Sequence, residues 1–416
     1  MMRPIPMRAA LLAALFLLAG PVRALPGSLL RDDVLRPEPA MAPASGPAVA
    51  RGTGVDIRER RGGWLRVATD RHEGWVRVLS VRGEAAAQRD VLGEAKGVLT
   101  SAEARINPRI VAVAGFRGIE EDVTAGRAAL EALALYRLAR GGADEFARAG
   151  GLARRSGDCS VVAARAMEAA PRDIPKGVTL SLMTAWSLDR LTPEHEARIG
   201  AHLAARLLAV LPPSRDEAVQ SFVNRVGRWL ADQGGGADLP WLFAVLEDDA
   251  LNAFSLPGGY VFLTRGLYRR LAGEAELAAV LAREIAKVES HAWIRSLRAE
   301  PAPRAALGRP RDEAGFLVQL LGEGTASLSR PLSAEVEFAA DRAGVLLAAR
   351  AGYDAYALAA VLQSWGALVG DDARISLMRG TLPPPELRLA RLDQSLGECL
   401  AATPAGQAPN RFFRID

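Results

Sequence analysis

The stretch "GEAELAAVLAREIAKVESHAW", residues 273–293, decides the fold of the second half of this 416-residue chain. We predict one long helix over these residues. Arg283 and Lys287 are four residues apart and therefore lie on one face of that helix, with Glu284 next to the first of them. Two cations and a carboxylate so close together on a largely apolar helix indicate a specialised site.

The segments around this helix predict a mostly helical domain with a short sheet. Strand patterns appear at 241–248 and in "NAFSLPGGYVFLTRGLYRRL" (252–271), where a Pro-Gly-Gly turn separates two strands that lead into a helix start. An earlier helix begins after Thr192, a good N-cap, with Pro193 at its first position. Further helices are expected at three places: 216–233, 332–354 and the closing segment 381–396.

Three motifs recur here in an order that is similar to one known family. They are "NAFSLPGGYVFLTRGL", "EAELAAVLAREIAKV" and a later helix that carries Glu337 and Asp341. With these motifs, residues 189–400 resemble metallopeptidase family forty-eight, a group of gluzincins that includes soluble periplasmic chaperone-proteases. The resemblance implies a zincin fold in which two His at i and i+4 and a later Glu hold zinc. A Glu beside the first His acts as general base, and an Asp supports the site from behind the ligands.

The chain departs from this family pattern at the metal ligands. Arg283 and Lys287 stand where the two His are expected, while Glu284 keeps the general-base position, Glu337 the third-ligand position and Asp341 the supporting position. A guanidinium has no lone pair to give a metal, and an ammonium must first lose a proton whose reference pKa is about 10.4. We therefore expect no metal cofactor and a catalytic site that is only vestigial.

Two alternatives concern where these cations point. Either Arg283 and Lys287 fill the place of the metal and pair with Glu337 and Glu284, or both point to solvent. A third hypothesis is a rebuilt metal site that uses His291, one turn beyond Lys287 on the predicted helix, together with the two Glu.

The resemblance also implies a peptide groove along the first strand of the turn motif, where an extended peptide is added as a further strand. The residues assigned to it are Asn252, Ala253, Phe254, Gly258 and Gly259. The favoured function is a non-catalytic pseudoprotease that binds a peptide or unfolded protein in envelope quality control. The alternatives are an active metalloendopeptidase with a rebuilt site and a structural protein that binds cell-wall peptide.

The N-terminus has the pattern of a secretory signal. Arg3 and Arg8 precede an apolar run, and "VRA" offers a cleavage site after Ala24, so we predict a signal peptide at 1–24 and a periplasmic or secreted chain. The net charge of +4 falls to +1 without the three Arg of that segment, which gives no argument for nucleic acid as a partner. No later apolar run is long enough to span a bilayer.

The remaining segments complete an α+β architecture. A Pro/Ala-rich linker is predicted at 25–52, and short alternating runs with Trp64 and Trp75 give residues 53–85 a resemblance to bacterial SH3-like barrels. The two tryptophans either bind cell-wall peptide or form the core of that domain. The boundaries of the other segments are a helical connector at 86–188 and a tail at 401–416, and Cys159 and Cys399 either form a disulfide or stay separate thiols.

Overall fold

In the computed structural model, the chain forms two units, residues 1–88 and residues 89–416. The structure describes residues 25–40, 45–83, 123–155, 192–236, 238–299, 332–366, 382–402, 406–407, 409 and 411–414. Within these ranges, no helix has both the length and the apolar character that a membrane crossing requires. The predicted signal peptide, most of the predicted connector and Cys159 lie outside the described residues.

The first unit is built on a five-stranded antiparallel sheet and a two-stranded ribbon. Its strands are β1 (Leu25–Leu29), β2 (Asp33–Val34), β3 (Ala48–Val49), β4 (Gly54–Arg61), β5 (Trp64–Ala68), β6 (Glu73–Arg77) and β7 (Val81–Gly83). The order in the sheet is β6-β5-β4-β1-β7, and β2 pairs with β3. The sheet is open, with β6 and β7 at its ends, so the SH3-like barrel stays a prediction.

Strand β1 lies inside the segment that the sequence analysis assigned to a linker. It pairs with β4 on one side and with β7 on the other, with Gly27 opposite both Val55 and Gly83. A Cβ atom on Gly27 would lie 2.7 Å from the Arg82 carbonyl oxygen, so the close approach of β7 requires glycine at this position. The segment "LPGSL" has no alternating pattern, and only its backbone partners identify it as a strand.

Both tryptophans of the first unit belong to its core. The exposed fractions are 2% for Trp64 and 6% for Trp75. The guanidinium of Arg36 lies 5.3 Å from the Trp64 ring centroid, and that of Arg61 lies 5.2 Å from the Trp75 ring centroid. Of the two alternatives for these tryptophans, the structure agrees with a place in the core of the unit. Neither ring offers an open aromatic face to a cell-wall peptide.

The second unit contains a small sheet among helices, as predicted for an α+β fold. Its strands are β8 (Leu242–Leu246), β9 (Ala253–Leu256) and β10 (Tyr260–Thr264). Its helices are α1 (Val123–Ala134), α2 (Asp144–Ala149), α3 (Pro193–Val210), α4 (Glu217–Asp232), α5 (Arg265–Arg270), α6 (Glu274–Glu289), α7 (Ala292–Ala299), α8 (Ala334–Arg350), α9 (Ala357–Gly366) and α10 (Pro385–Ala402). The N-cap predicted at Thr192 is present, because its side chain accepts a hydrogen bond from the backbone of His195.

The two edge strands of the small sheet, β8 and β9, differ in the hydrogen bonds that their outer backbone groups form. Strand order is β8-β10-β9, with β10 parallel to β8 and antiparallel to β9. Side-chain amides from α4 cover the β8 edge: Gln220 bonds to both the N–H (3.0 Å) and the C=O (2.9 Å) of Val245. Asn224 does the same at Phe243, at 3.1 and 2.6 Å. These two amides satisfy backbone groups that an edge strand otherwise leaves unpaired, whereas β9 has no such cover among the described residues.

Helix α6 lies at the centre of the second unit and packs directly against α8. A Cβ atom on Gly344 would lie 2.7 Å from the Arg283 Cα atom, so glycine lets the two helix backbones approach closely at this point. All but two of the residues of α6 are buried. The charged side chains at Arg283, Glu284 and Lys287 are thus placed inside the protein, at the interface of α6 and α8.

Helix α6 is shorter than the sequence predicted. It ends at Glu289, and His291 adopts a left-handed backbone conformation with φ of 52° before α7 begins. That conformation is uncommon for a residue with a side chain and breaks the helical path. His291 therefore does not continue the helical face of Lys287, and the prediction of a single helix through residue 293 is wrong.

Candidate functional site

Arg283 contacts three carboxylates in the interior of the second unit. Its Nη1 donates to Glu284 Oε1 at 2.7 Å, its Nε donates to Asp341 Oδ1 at 3.1 Å, and its Nη2 donates to Glu337. Only 1% of the Arg283 side chain is exposed. Helix α8 supplies Glu337 and Asp341, which are four residues apart and so face α6 together.

Lys287 completes the pairing expected from the sequence. Its Nζ lies 3.1 Å from Glu284 Oε1 and 3.0 Å from Glu337 Oε1, and 8% of the side chain is exposed. The alternative that Arg283 and Lys287 point to solvent is therefore wrong. A buried charge without a partner is costly, and here each buried cation contacts at least two carboxylates.

A third cation, Arg388 on α10, joins the group from the opposite side. Its Nε and Nη2 donate to Asp341 Oδ2 and Oδ1 at 2.8 and 2.7 Å, which is the bidentate geometry of a strong Arg–carboxylate pair. The side chain lies 5.6 Å from the Trp365 ring centroid and is 1% exposed. Sequence reasoning missed Arg388, because a basic residue in a polar helical tail gives no signal of burial.

We call these six residues the charge cluster: Arg283, Glu284, Lys287, Glu337, Asp341 and Arg388. Three side-chain cations face three carboxylates, so the cluster is neutral when all six are ionised. Burial by itself would raise the pKa of Glu337, but Lys287, Arg283 and Arg388 hold it below its ordinary value. Burial likewise opposes ionisation of Asp341, and Arg388 and Arg283 lower its pKa instead.

The carboxylates of the charge cluster also shift the pKa of Arg283. Burial by itself would lower the pKa of the Arg283 guanidinium, but the surrounding carboxylates, above all Glu337, raise it above its ordinary value. The charged forms of Arg283, Glu337 and Asp341 therefore stabilise one another although all three side chains are buried.

Glu284 is occupied on both carboxylate oxygens. Oε1 accepts from Arg283 and Lys287, and Oε2 accepts from the Ser255 hydroxyl at 3.1 Å. The carboxylate of Glu284 is thus held by two cations and a hydroxyl. The contact with Ser255 places strand β9 directly beside the charge cluster, and it satisfies the carboxylate rather than activating the hydroxyl.

The residues present do not fit the zinc that the family resemblance implies. Zinc needs deprotonated donors with free lone pairs, and the cations of Arg283 and Lys287 stand where the resemblance implies two ligands. Within the described part of the chain, no group of three or more His, Cys, Asp or Glu side chains could hold a metal ion.

The imidazole considered for a rebuilt site is engaged elsewhere. The Nδ1 atom of His291 lies 2.9 Å from a carboxylate oxygen of Glu196 on α3, and 56% of the side chain is exposed. His195 contacts the backbone of Thr192, where its Nδ1 accepts a hydrogen bond at 3.1 Å. His291 is thus paired with Glu196 rather than with Glu337. The rebuilt site that the sequence analysis considered therefore lacks its histidine ligand.

The predicted groove residues divide between a strand and a turn. Asn252 precedes β9, and Ala253 and Phe254 lie in it. Gly258 and Gly259 have φ values of 76° and 96° and form the turn that follows. A Cβ atom on Gly258 would lie 2.4 Å from the Ala197 Cα atom of α3. The two glycines therefore belong to the turn and not to the strand, with Gly258 packed against α3 and Gly259 closest to Trp241.

The outer edge of β9 presents the backbone groups of two residues. Asn252 O accepts from Thr264 N at 3.0 Å, which makes these two a hydrogen-bonded pair of the β9–β10 ladder. Because hydrogen-bonded and non-bonded pairs alternate in an antiparallel ladder, the N–H and C=O of Ala253 and Ser255 point away from β10. The side chain of Ser255 reaches Glu284 from this same strand.

Comparisons with known proteins support the predicted relationship for this domain. Residues 213–396 match the model of Peptidase family M48. A putative beta-barrel assembly-enhancing protease of Vibrio cholerae is 30% identical over 185 residues, which cover 40% of this chain and 37% of that protein. The beta-barrel assembly-enhancing protease of Escherichia coli K12 is 28% identical over 243 residues, which cover 54% of this chain and 48% of that protein.

A eukaryotic relative gives the same result. The mitochondrial metalloendopeptidase OMA1 of Schizosaccharomyces pombe is 32% identical over 181 residues, 42% of this chain and 53% of that protein. The matched part of the chain thus spans about a third to a half of the length of these relatives. Together, the matches support the M48 metallopeptidase family for the domain that carries the charge cluster.

Proposed function

We propose that this chain is a pseudoprotease: an M48-type domain that binds an extended peptide or unfolded protein without cleaving it. The observation that carries the proposal is the charge cluster, in which Arg283 and Lys287 stand at two zinc-ligand positions of the family and pair with Glu284 and Glu337. The two cations supply the +2 charge that the ion would supply, so the carboxylates stay compensated without a metal.

The same arrangement removes the usual means of peptide hydrolysis. In a zinc peptidase, the metal lowers the pKa of a bound water and polarises the carbonyl, and a free glutamate takes the proton. Here Glu284 is bonded to Arg283, Lys287 and Ser255, so the residue at the general-base position is engaged with side chains of the protein itself. The cluster stabilises the α6–α8 interface instead.

Binding is proposed to use the outer edge of β9. An added strand would pair with the backbone of Ala253 and Ser255, and its side chains would alternate between the two faces of the sheet. Backbone pairing is largely independent of sequence, which suits a protein that handles unfolded chains. We place this activity in the bacterial envelope, because the predicted signal at 1–24 and the bacterial relatives, which are named as beta-barrel assembly-enhancing proteases, agree with it.

Zinc content tests the non-catalytic part of the proposal. The purified mature protein is incubated with zinc, dialysed, and analysed by mass spectrometry, with circular dichroism to establish that it is folded. We expect far less than one zinc per chain. Near-stoichiometric zinc in the folded protein would overturn the proposal and support the active metalloendopeptidase.

Binding and cleavage are measured separately on one probe. Fluorescein-labelled, reduced casein is titrated with the protein, fluorescence anisotropy reports binding, and gel electrophoresis after a long incubation reports fragments. We expect saturable binding and intact casein. Fragments that disappear with Glu284→Gln would contradict the proposal, and absence of any binding would remove its peptide-groove part in favour of a structural role.

A further inference from the structure

The last residues of the chain, outside every motif discussed above, make specific contacts with the second unit. The segment "RFFR" (Arg411–Arg414) follows the end of α10 at Ala402. Upstream of it, Gln407 forms a parallel bridge with Tyr353, and Gln407 N donates to Gly352 O at 2.9 Å. The backbone of the tail at Gln407 thus pairs with the backbone at Gly352 and Tyr353.

Arg411 is the polar anchor of this tail. Its Nε and Nη2 donate to Glu274 Oε2 and Oε1 at 2.7 and 2.9 Å, a bidentate pair. Its guanidinium lies 3.6 Å from the ring centroid of Phe146 in α2 and also donates to the backbone carbonyl of that residue. One side chain of the tail thereby connects α2 to the first residue of α6.

Glu274 depends on this pair. It is fully buried, and its other described contact is the Tyr353 hydroxyl, which donates to Oε1 at 2.7 Å. Arg411 is the cation that compensates its charge among the contacts described. Without the tail, α6 would begin with a buried carboxylate that no described cation touches, which is strongly unfavourable.

The two aromatic residues of the tail pack against aromatic rings of the second unit, with Phe412 half-buried and Phe413 47% exposed. Phe412 stacks on Tyr268 at a centroid distance of 4.8 Å, and Phe413 meets Phe222 edge-on at 5.2 Å. The Tyr268 hydroxyl donates to the Phe413 carbonyl at 2.8 Å. A buried carboxylate with aromatic rings beside it is complementary to an arginine followed by aromatic residues.

From these contacts we infer that the tail residues 406–407 and 411–414 act as a C-terminal latch, a part of this chain that occupies a docking site formed by α2, α4, α5 and the start of α6. The occupant is the chain's own tail, in cis. Because α6 continues from Glu274 to the charge cluster, the latch stabilises the N-terminal end of the helix that carries Arg283, Glu284 and Lys287. The inference does not depend on peptide binding at β9 or on the absence of zinc.

The test uses the full chain with a site-specific protease sequence inserted between Ala402 and Gly406. The intact protein is purified and folded, then cut, and the released tail is removed by gel filtration. We expect the melting temperature to fall by roughly 10 °C, since an uncompensated buried carboxylate remains. A synthetic peptide of residues 406–416, added in trans, should bind the cut protein saturably and restore the melting temperature.

Two peptide variants make the result specific. The peptide with Arg411→Ala should not restore stability. The peptide with Arg414→Ala should restore most of it, because Arg414 contacts no carboxylate among the described residues and donates to the Leu271 and Ala272 carbonyls. Cutting without any change in melting temperature, or equal rescue by both peptides, would overturn the latch. Tails exchanged between two copies, seen as a dimer of the uncut protein, would overturn the assignment in cis.

Discussion

At the scale of single residues, Arg283 has the largest expected effect on stability. Arg283→Met removes the cation shared by Glu284, Glu337 and Asp341 while keeping a side chain of similar length. Breaking a buried ion pair on one side costs about 3–5 kcal/mol, since the remaining carboxylates stay buried. We expect a loss of this size in the free energy of unfolding, measured by urea denaturation.

A matched control is an arginine of the same unit that forms an ion pair at the surface. Arg140 pairs with Asp238 at 3.0 Å, and the two side chains are 66% and 88% exposed. Arg140→Met should change stability by less than about 0.5 kcal/mol. If the two substitutions had similar effects, the charge cluster would not stabilise the fold in the way its geometry indicates.

Asp341 gives the charge cluster a defined pH dependence. Its pKa is lower in the folded protein than in the unfolded chain, because Arg388 and Arg283 stabilise the carboxylate more than burial penalises it. A depressed folded pKa contributes stability that is fully present above the unfolded value of about 3.9 and is lost as the pH falls through the folded value. Glu337 has the same direction of shift.

Comparison with Asp341→Asn isolates this contribution. The difference in unfolding free energy between the wild type and the variant should be constant from about pH 5 to 7. It should shrink below about pH 4, since the unfolded wild-type chain then takes up a proton on this carboxyl that the folded state, with its lowered pKa, does not. Urea midpoints at several pH values measure it, and a difference that grows at low pH would contradict the assigned direction of the shift.

At the scale of helices, the proposal that α6 and α8 carry an altered metal site makes a prediction. Arg283 and Lys287 both contact Glu337 from consecutive turns of α6, so histidines at these positions would face the same carboxylate. The double variant Arg283→His/Lys287→His should therefore gain zinc affinity. Zinc at about a hundred times its Kd should add about 2.7 kcal/mol of stability, read as a zinc-dependent rise in melting temperature.

The third ligand position distinguishes this site from adventitious binding. Adding Glu337→Gln to the double variant removes a charged ligand without changing its size, and the zinc-dependent stabilisation should then fall sharply. Zinc per chain, measured by mass spectrometry after dialysis, should follow the same order. A folded double variant that retains no zinc would mean that the α6–α8 geometry has diverged beyond the two ligand substitutions.

At the scale of strands, the proposal that a peptide pairs with the outer edge of β9 leads to a further prediction. Ala253→Pro removes an N–H that points away from β10, so the β9–β10 ladder keeps its hydrogen bonds while the outer edge loses a donor. One lost hydrogen bond of about 1 kcal/mol should weaken casein binding about fivefold. Ala253→Ser retains the N–H and serves as the control, and equal affinities for the two variants would place the peptide elsewhere.

At the scale of the whole molecule, the sequence predicted the elements that have strong local patterns. The start of α3 at Thr192, the turn between β9 and β10, and the pairing of Arg283 with Glu337 follow from capping, glycine chemistry and charge compensation. The end of α6 did not, because the left-handed conformation of His291 depends on tertiary contacts such as that with Glu196. Arg388 and the tail from Gly406 were missed for the same reason: their partners are distant in sequence.

The sequence also left open whether the two cysteines form a disulfide or stay separate thiols. The structure describes one of them, Cys399. Cys399 in α10 is bonded in a disulfide, and Cys159, the other cysteine of the chain, lies outside the described residues. Spacing alone could not establish this, since a disulfide requires a specific approach of two backbones. An oxidising compartment, as the predicted signal at 1–24 implies, is where such a bond persists.

The boundary of the first unit leads to the last prediction. Because β1 lies between β4 and β7, residues 25–29 form hydrogen bonds with both neighbouring strands. A fragment of residues 25–88 should fold and melt cooperatively, with the near-ultraviolet signal of buried Trp64 and Trp75. A fragment that starts at Thr53, the boundary predicted from the sequence, loses the strand that joins β7 to the rest and should be unfolded. Equal spectra and equal melting for the two fragments would show that β1 is dispensable, and the linker assignment for residues 25–52 would then stand.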